Sequence, residues 1–153
     1  MAHLRSRIFA TYRQALAAIP EFSGDGKVAR GRAAAIPQEM LPALTLTWAE
    51  ANEADEIRPF SGPAGEDGYD RLLPLMIIVH LRDDEAEEEF DRICTLIEPV
   101  MAAHMVLPGL TVETLMQSQR FYVQPTTGLP LGAGSIAYQV RYKTTTDPQI
   151  SAL

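Results

Sequence analysis

The spacing of apolar residues changes along the chain, and each change marks an element. Near the start, Leu4, Ile8, Phe9, Tyr12, Leu16 and Ile19 recur in steps of three and four, with Arg7, Arg13 and Gln14 between them. That stripe predicts an amphipathic helix over residues 2–18. Pro20 ends it, because proline has no amide donor and restricts the residue before it. Ser23-Gly-Asp-Gly26 reads as a turn, and Val28 is the main apolar residue of a short strand within 27–34. Ala43-Leu-Thr-Leu-Thr-Trp48 alternates strictly and predicts a strand entered through Pro42. Leu75, Ile77, Val79 and Leu81 alternate with Met76, Ile78, His80 and Arg82, a strand over 70–82 with Pro74 near its beginning. Beyond Asp83 and Asp84 the period lengthens. Phe90, Ile93, Cys94, Ile97, Val100, Met101 and His104 predict a helix over 84–104, with Glu85, Glu87, Glu88 and Glu89 at its start, where the helix dipole favours carboxylates.

Two further strands are predicted over 111–124 and 135–143, the second from Ile136, Tyr138, Val140 and Tyr142 alternating with Ala137, Gln139, Arg141 and Lys143. Residues 49–69, acidic and rich in Pro and Gly, read as a long loop, as do residues 125–134. The order of elements predicts an α+β fold, a mainly antiparallel sheet of four to five strands with two helices packed on one face. Residues 1–146 are expected to form a single domain, and 147–153 a flexible C-terminal tail.

The formal charge of −7 on 153 residues conceals a division. Residues 1–32 carry Arg5, Arg7, Arg13, Lys27, Arg30 and Arg32 against Glu21 and Asp25, a net +4, whereas residues 50–91 carry a net −11. Opposite patches of this kind steer head-to-tail encounter between identical subunits; a solvated loop and an acidic helix start account for the same numbers. An acidic chain is a poor candidate for tight nucleic-acid binding, which draws on a basic face. No apolar run is long enough to span a membrane, and the start lacks the apolar stretch of a secretory signal. With a single cysteine, Cys94, on an apolar stripe, a reducing cytoplasmic setting is expected.

Catalytic and cofactor motifs do not emerge. There is no phosphate-binding glycine loop, dinucleotide fingerprint, nucleophile elbow or His-Glu-x-x-His pair, and no cofactor is implied. Asp83 to Asp91 lacks the glycine and regular spacing of a calcium loop. His80 beside Asp83 and Asp84, with His104 further on, is the one constellation that a metal or acid–base role would use; strand-end and helix-capping duty is the structural alternative.

A particular order of segments does carry a resemblance. Gly31-Arg32 leads to Leu41-Pro42-Ala43-Leu44 and a strand, then a variable acidic loop, then Leu75-Met-Ile-Ile-Val-His-Leu81. An acidic-headed helix follows, reaching Glu98-Pro99-Val100-Met101, and a terminal strand reads Tyr138-Gln-Val-Arg-Tyr142. Over about residues 3–143 this resembles the tail terminator proteins of long-tailed bacteriophages, the minor tail protein U type of lambda-like phages. The resemblance implies a virion structural protein and not an enzyme. Six copies would form a ring on the head-proximal end of the tail tube, halting its polymerisation and presenting a surface for the head. Its partners would be other copies of itself, the major tail tube protein and head–tail connector proteins, with DNA passing through the lumen without specific binding, after assembly in the host cytoplasm. A head–tail neck or head-completion protein is the alternative position. A closing ring requires a head-to-tail interface. The candidate contacts are Arg30 and Arg32 with Glu53, Asp55 and Glu56, and an acidic-loop anchor at Phe60.

Overall fold

The alternating pattern in the second half of the chain becomes the spine of a sheet. A computed structural model describes residues 2–32, 36–49, 52–58, 65, 67–82, 85–124 and 131–153. In chain order the elements are α1 (Leu4–Ala17), β1 (Val28–Arg30), β2 (Ala43–Trp48), β3 (Ala54–Arg58), β4 (Gly68–His80), α2 (Ala86–Ala103), β5 (Glu113–Gln124) and β6 (Leu131–Thr145), with 3-10 turns at Pro20–Phe22 and Gln38–Met40. The strands lie in the order β1-β2-β4-β6-β5, and β3 pairs with the first half of β4 on the side where β2 pairs with the second half. Every pairing is antiparallel except β1 with β2. This is the α+β arrangement expected from the sequence, with one strand more than four to five among the described residues.

Period-two alternation decides which face is covered. Leu73, Leu75, Ile77 and Val79 of β4 lie opposite Val140, Tyr138, Ile136 and Gly134 of β6, and Leu46 and Leu44 of β2 extend the same rows. Onto this face α1 places Leu4, Ile8, Phe9, Tyr12 and Leu16, and α2 places Phe90, Ile93, Cys94, Ile97 and Met101, all in one buried cluster. Each such side chain contributes about 1.5–3 kcal/mol by leaving water. The alternate residues, among them Thr47, Met76, Ile78, Ala137, Gln139 and Arg141, form a second sheet face free of helices.

The extra strand lies inside the segment expected to be a loop. β3 reads Ala-Asp-Glu-Ile-Arg, all five residues exposed, so no burial period announces it. Charge holds it in place: across the ladder Asp55 meets Arg71 at 3.2 Å and Arg58 meets Asp70 at 3.1 Å. Of the second expected loop, residues 131–134 belong to β6, which begins at Leu131, and residues 125–130 lie outside the described residues. Gly132 and Gly134 are strand residues with a packing role. A Cβ on Gly132 would lie 2.5 Å from the Cβ of Ala86, and one on Gly134 would penetrate the ring of Phe90. Glycine there lets α2 approach the sheet, which turn-based reading of glycine misses. The strand expected over 70–82 begins at Gly68, and the short first strand is confined to Val28–Arg30. Residues 147–153 fold back on the domain: Leu4 N–H donates to Pro148 O, Thr145 N–H to Ile150 O and Ala152 N–H to Lys143 O, all at 2.9–3.0 Å.

Gly134→Ala is expected to destabilise the fold by about 1–3 kcal/mol in denaturant titrations, the usual cost of overpacking. Phe90→Leu in the same chain should recover part of that loss, and an additive double variant would show that the two do not touch.

Candidate functional site

Building upward from the sequence-predicted contacts, the structure first shows which charges are already satisfied within the chain. Arg32 is held at four points. Its Nε donates to Thr45 Oγ1 at 2.7 Å, and its Nη2 donates to the carbonyls of Gly26, Lys27 and Leu44 at 2.8, 3.2 and 2.9 Å. It ties the turn before β1 to β2. Thr45 in turn meets His80 Nε2 at 2.9 Å. The threonine hydroxyl thus links the Arg32 guanidinium to the His80 ring, with the direction of the second bond set by the ring's tautomer. Burial, and then the nearby Arg32 charge, pull the His80 pKa down to about 4.

Glu53 is likewise engaged. Its side chain is 6% exposed, with Arg5 at 2.7 Å, Arg71 at 3.8 Å and the Tyr142 hydroxyl donating to it. Burial pushes its carboxyl above the ordinary glutamate value, against the downward pull of Tyr142, Arg5 and Arg71. Asp55 pairs with Arg71, and Glu56 is exposed. A second group forms around buried Asp70, which accepts two hydrogen bonds from Arg141, at 3.1 and 2.6 Å, and one from Arg58. Arg141 holds the Asp70 carboxyl below the usual range. These groups clamp β3, β4 and β6 together at one end of the sheet. Arg30 stays exposed at the end of β1, its guanidinium 4.3 Å over the Phe9 ring and donating to Ser6 Oγ at 3.0 Å. Thus the structure joins neither Arg30 nor Arg32 to Glu53, Asp55 or Glu56 within one chain. Phe60 lies outside the described residues.

The histidine constellation is not assembled. His104 Nδ1 bonds the Val100 carbonyl within its own helix end, its carbonyl accepts from Tyr12, and Asp83 lies outside the described residues. Among the described residues no group of three His, Cys, Asp or Glu side chains is placed to hold a metal ion. Cys94 is buried and its thiol is pushed up to about 11 by burial, then by Glu98 and Asp91. No helix among the described residues is long and apolar enough to cross a membrane.

At one edge of the sheet β5 has no strand beyond it among the described residues, and Leu115 to Arg120 are exposed on both faces. A bulge between Met116 and Ser118 interrupts its register with β6. At the other edge stand β1 and β3. Exposed apolar side chains occur on both flanks, Trp48 and Ile57 on one and Leu115 and Met116 on the other. The sequence signal for this site was the charge division, but not the residues that express it.

No family model and no curated protein matches the chain. Among solved structures, its fold is similar to that of a chain from the virion of a native gene transfer agent particle, with a TM-score of 0.53 and 11% sequence identity over 88% of this chain and 92% of that one. At that identity the likeness is one of fold.

Because the folded state depresses the His80 pKa, its neutral form contributes stability above pH 6.5 that is lost as pH falls from 6.5 towards 4. Allowing for partial solvation, about 1–2 kcal/mol should disappear across that window. Denaturant titrations of His80→Gln should lack that slope; an unchanged slope would place its origin in other groups.

Proposed function

We propose that this chain is a structural component of a phage-like virion and acts there as a tail terminator. Copies associate head to tail into a ring, six by the sequence resemblance, that sits on the head-proximal end of the tail tube. The ring stops further tube growth and presents the surface to which the head-side connector proteins attach. DNA passes through the opening without sequence-specific contact, consistent with an acidic chain of net −7.

The observation that carries this reading is the fold likeness to a gene transfer agent virion chain over nearly the whole of both chains. It stands beside the ordered series from Leu41-Pro42-Ala43-Leu44 to Tyr138-Gln-Val-Arg-Tyr142, now placed on β2, β4, α2 and β6 of one sheet-and-helix unit. The work assigned to the molecule is mechanical. A terminator must match the tube end yet refuse another tube layer, which asks for a rigid core with distinct surfaces and not for a reactive group.

The test is polymerisation of a major tail tube protein from the same source, with and without the chain added. Electron micrographs should show rings at tube ends and growth arrested at substoichiometric addition. Unaltered tube growth together with binding to portal-side proteins alone would move the chain to the neck. Unaltered growth with no binding to either would remove the virion reading.

A further inference from the structure

The two helices lie on the same sheet face but carry opposite charge. α1 contains Arg5, Arg7 and Arg13 and no acid, whereas α2 contains five acids and one arginine. Position turns this difference into a polarity across the molecule. α1 lies against β1, with Ser6 and Phe9 beside Arg30. On a 100° helical wheel Arg13 projects to the same side as these two residues, towards the β1 flank. α2 lies over β6 and β5, with Ala86 against Gly132, Phe90 against Gly134, and Phe90 and Phe121 ring centroids 5.9 Å apart. The α1-facing side of α2 is fixed by Arg92, which pairs with Glu21 at 2.8 Å and with Glu89 at 2.5 Å. Glu87, Asp91 and Glu98 therefore project to the opposite side, over β5, and Glu87 and Asp91 are exposed. On the helix-bearing face the pattern is carried by the helices, while exposed Glu56 of β3 is paired in register with Asp70 on the helix-free face. Asp55 is paired with Arg71, and Arg120 lies on the helix-free face, 6.0 Å over the Tyr122 ring.

Strand register brings the apolar ends of the two flanks to one height and places charge beyond them on each side. One row across the sheet runs Trp48, Leu75, Tyr138, Met116, beginning and ending in an exposed apolar side chain, 37% and 41% exposed. Two residues further along the same face, the next row begins at Arg30 and continues through Leu46, Ile77 and Ile136. The row after that runs Leu44, Val79, Gly134 and ends on β5 at Phe121, whose ring meets Phe90 of α2, with Glu87 and Asp91 on either side of Phe90 in the sequence. From the Leu75 row upward, the β1 flank presents Trp48 and then Arg30, and the β5 flank presents Met116, then Gln119, then the acids of α2 beside Phe90.

We propose that these flanks are the two halves of a head-to-tail interface between copies of this chain. Arg13 and Arg30 of one copy face Glu87 and Asp91 of the next, and Trp48 of one packs near Met116 of the next. The inference rests on the self-association reading above and specifies its surface. Charge selects the orientation and sets the encounter rate, while the apolar row excludes water. Because the two halves differ, the contact is heterologous and repeats around a closed ring.

A charge-swap experiment tests this, with oligomeric mass measured by sedimentation and folding checked by thermal melting. Full-length Glu87→Lys/Asp91→Lys and Arg13→Glu/Arg30→Glu chains should each stay monomeric while melting cooperatively. Mixed in equal amounts they should assemble, since every contact in an alternating ring is again between opposite charges. Glu87→Gln/Asp91→Gln, a milder change, should raise the concentration needed for assembly at least tenfold. Reversed chains that assemble singly as the unaltered protein does would overturn the interface and leave self-association standing. An unaltered chain that stays monomeric alone and with tube protein would overturn both. Loss of assembly in both reversals without recovery on mixing would also overturn the pairing.

Discussion

The long antiparallel pairing of β4 with β6 is the constraint on which the rest of the structure depends. It runs unbroken from Gly68 opposite Thr145 to His80 opposite Ala133. That ladder fixes which residues face the helices. A shift of one residue would turn Leu73, Leu75, Ile77 and Val79 out of the core and bring Met76, Ile78 and His80 in. Everything lateral is hung on these two strands. β2 and β3 share the outer side of β4, and among the described residues β5 pairs with no strand but β6. The close seating of α2 depends on the same register, because only glycines at 132 and 134 leave room for Ala86 and Phe90.

Charge is used in two separate ways. At the Gly68 end of β4, ion pairs are partly or wholly enclosed and serve as clamps: Glu53 with Arg5 and Arg71, and Asp70 with Arg141 and Arg58. Removing one partner from such a group leaves an uncompensated buried charge, so the clamps behave as units. On the helix layer the charges are exposed and unbalanced from flank to flank. Exposed pairs contribute little to the stability of a monomer. The same side chains gain influence when a second copy approaches, because complementary fields act on encounter and orientation before contact.

Much of this fold was legible in the amino-acid pattern, for a physical reason in each case. β4 and β6 alternate because one face is buried and the other is not, and α2 declares itself through Phe90, Ile93, Cys94, Ile97 and Met101. β3 was hidden because its five residues are exposed and its pairing comes from Asp55 and Arg58, whose partners are distant in sequence. The beginning of β6 was hidden because Gly132 and Gly134 signal a turn locally and a close helix approach only in three dimensions. The site was legible as a charge division but not as a set of contacts. Arg32 and Glu53 were expected as contacts between subunits, yet within the chain Thr45 and three carbonyls engage the first, and Arg5 and Tyr142 the second. The residues of the proposed interface, Arg13, Glu87 and Asp91, emerge only when helix orientation is combined with sheet order.

The central claim is that opposite flanks of a rigid sheet-and-helix unit drive closed self-association. Sedimentation velocity across a salt series measures it most directly, since exposed charges lose their reach as the screening length shrinks to about 3 Å near 1 M salt. The account predicts one discrete larger species at low salt that gives way to monomer as salt rises. A monomer at every ionic strength, an open-ended series of polymers, or an oligomer indifferent to salt would contradict it.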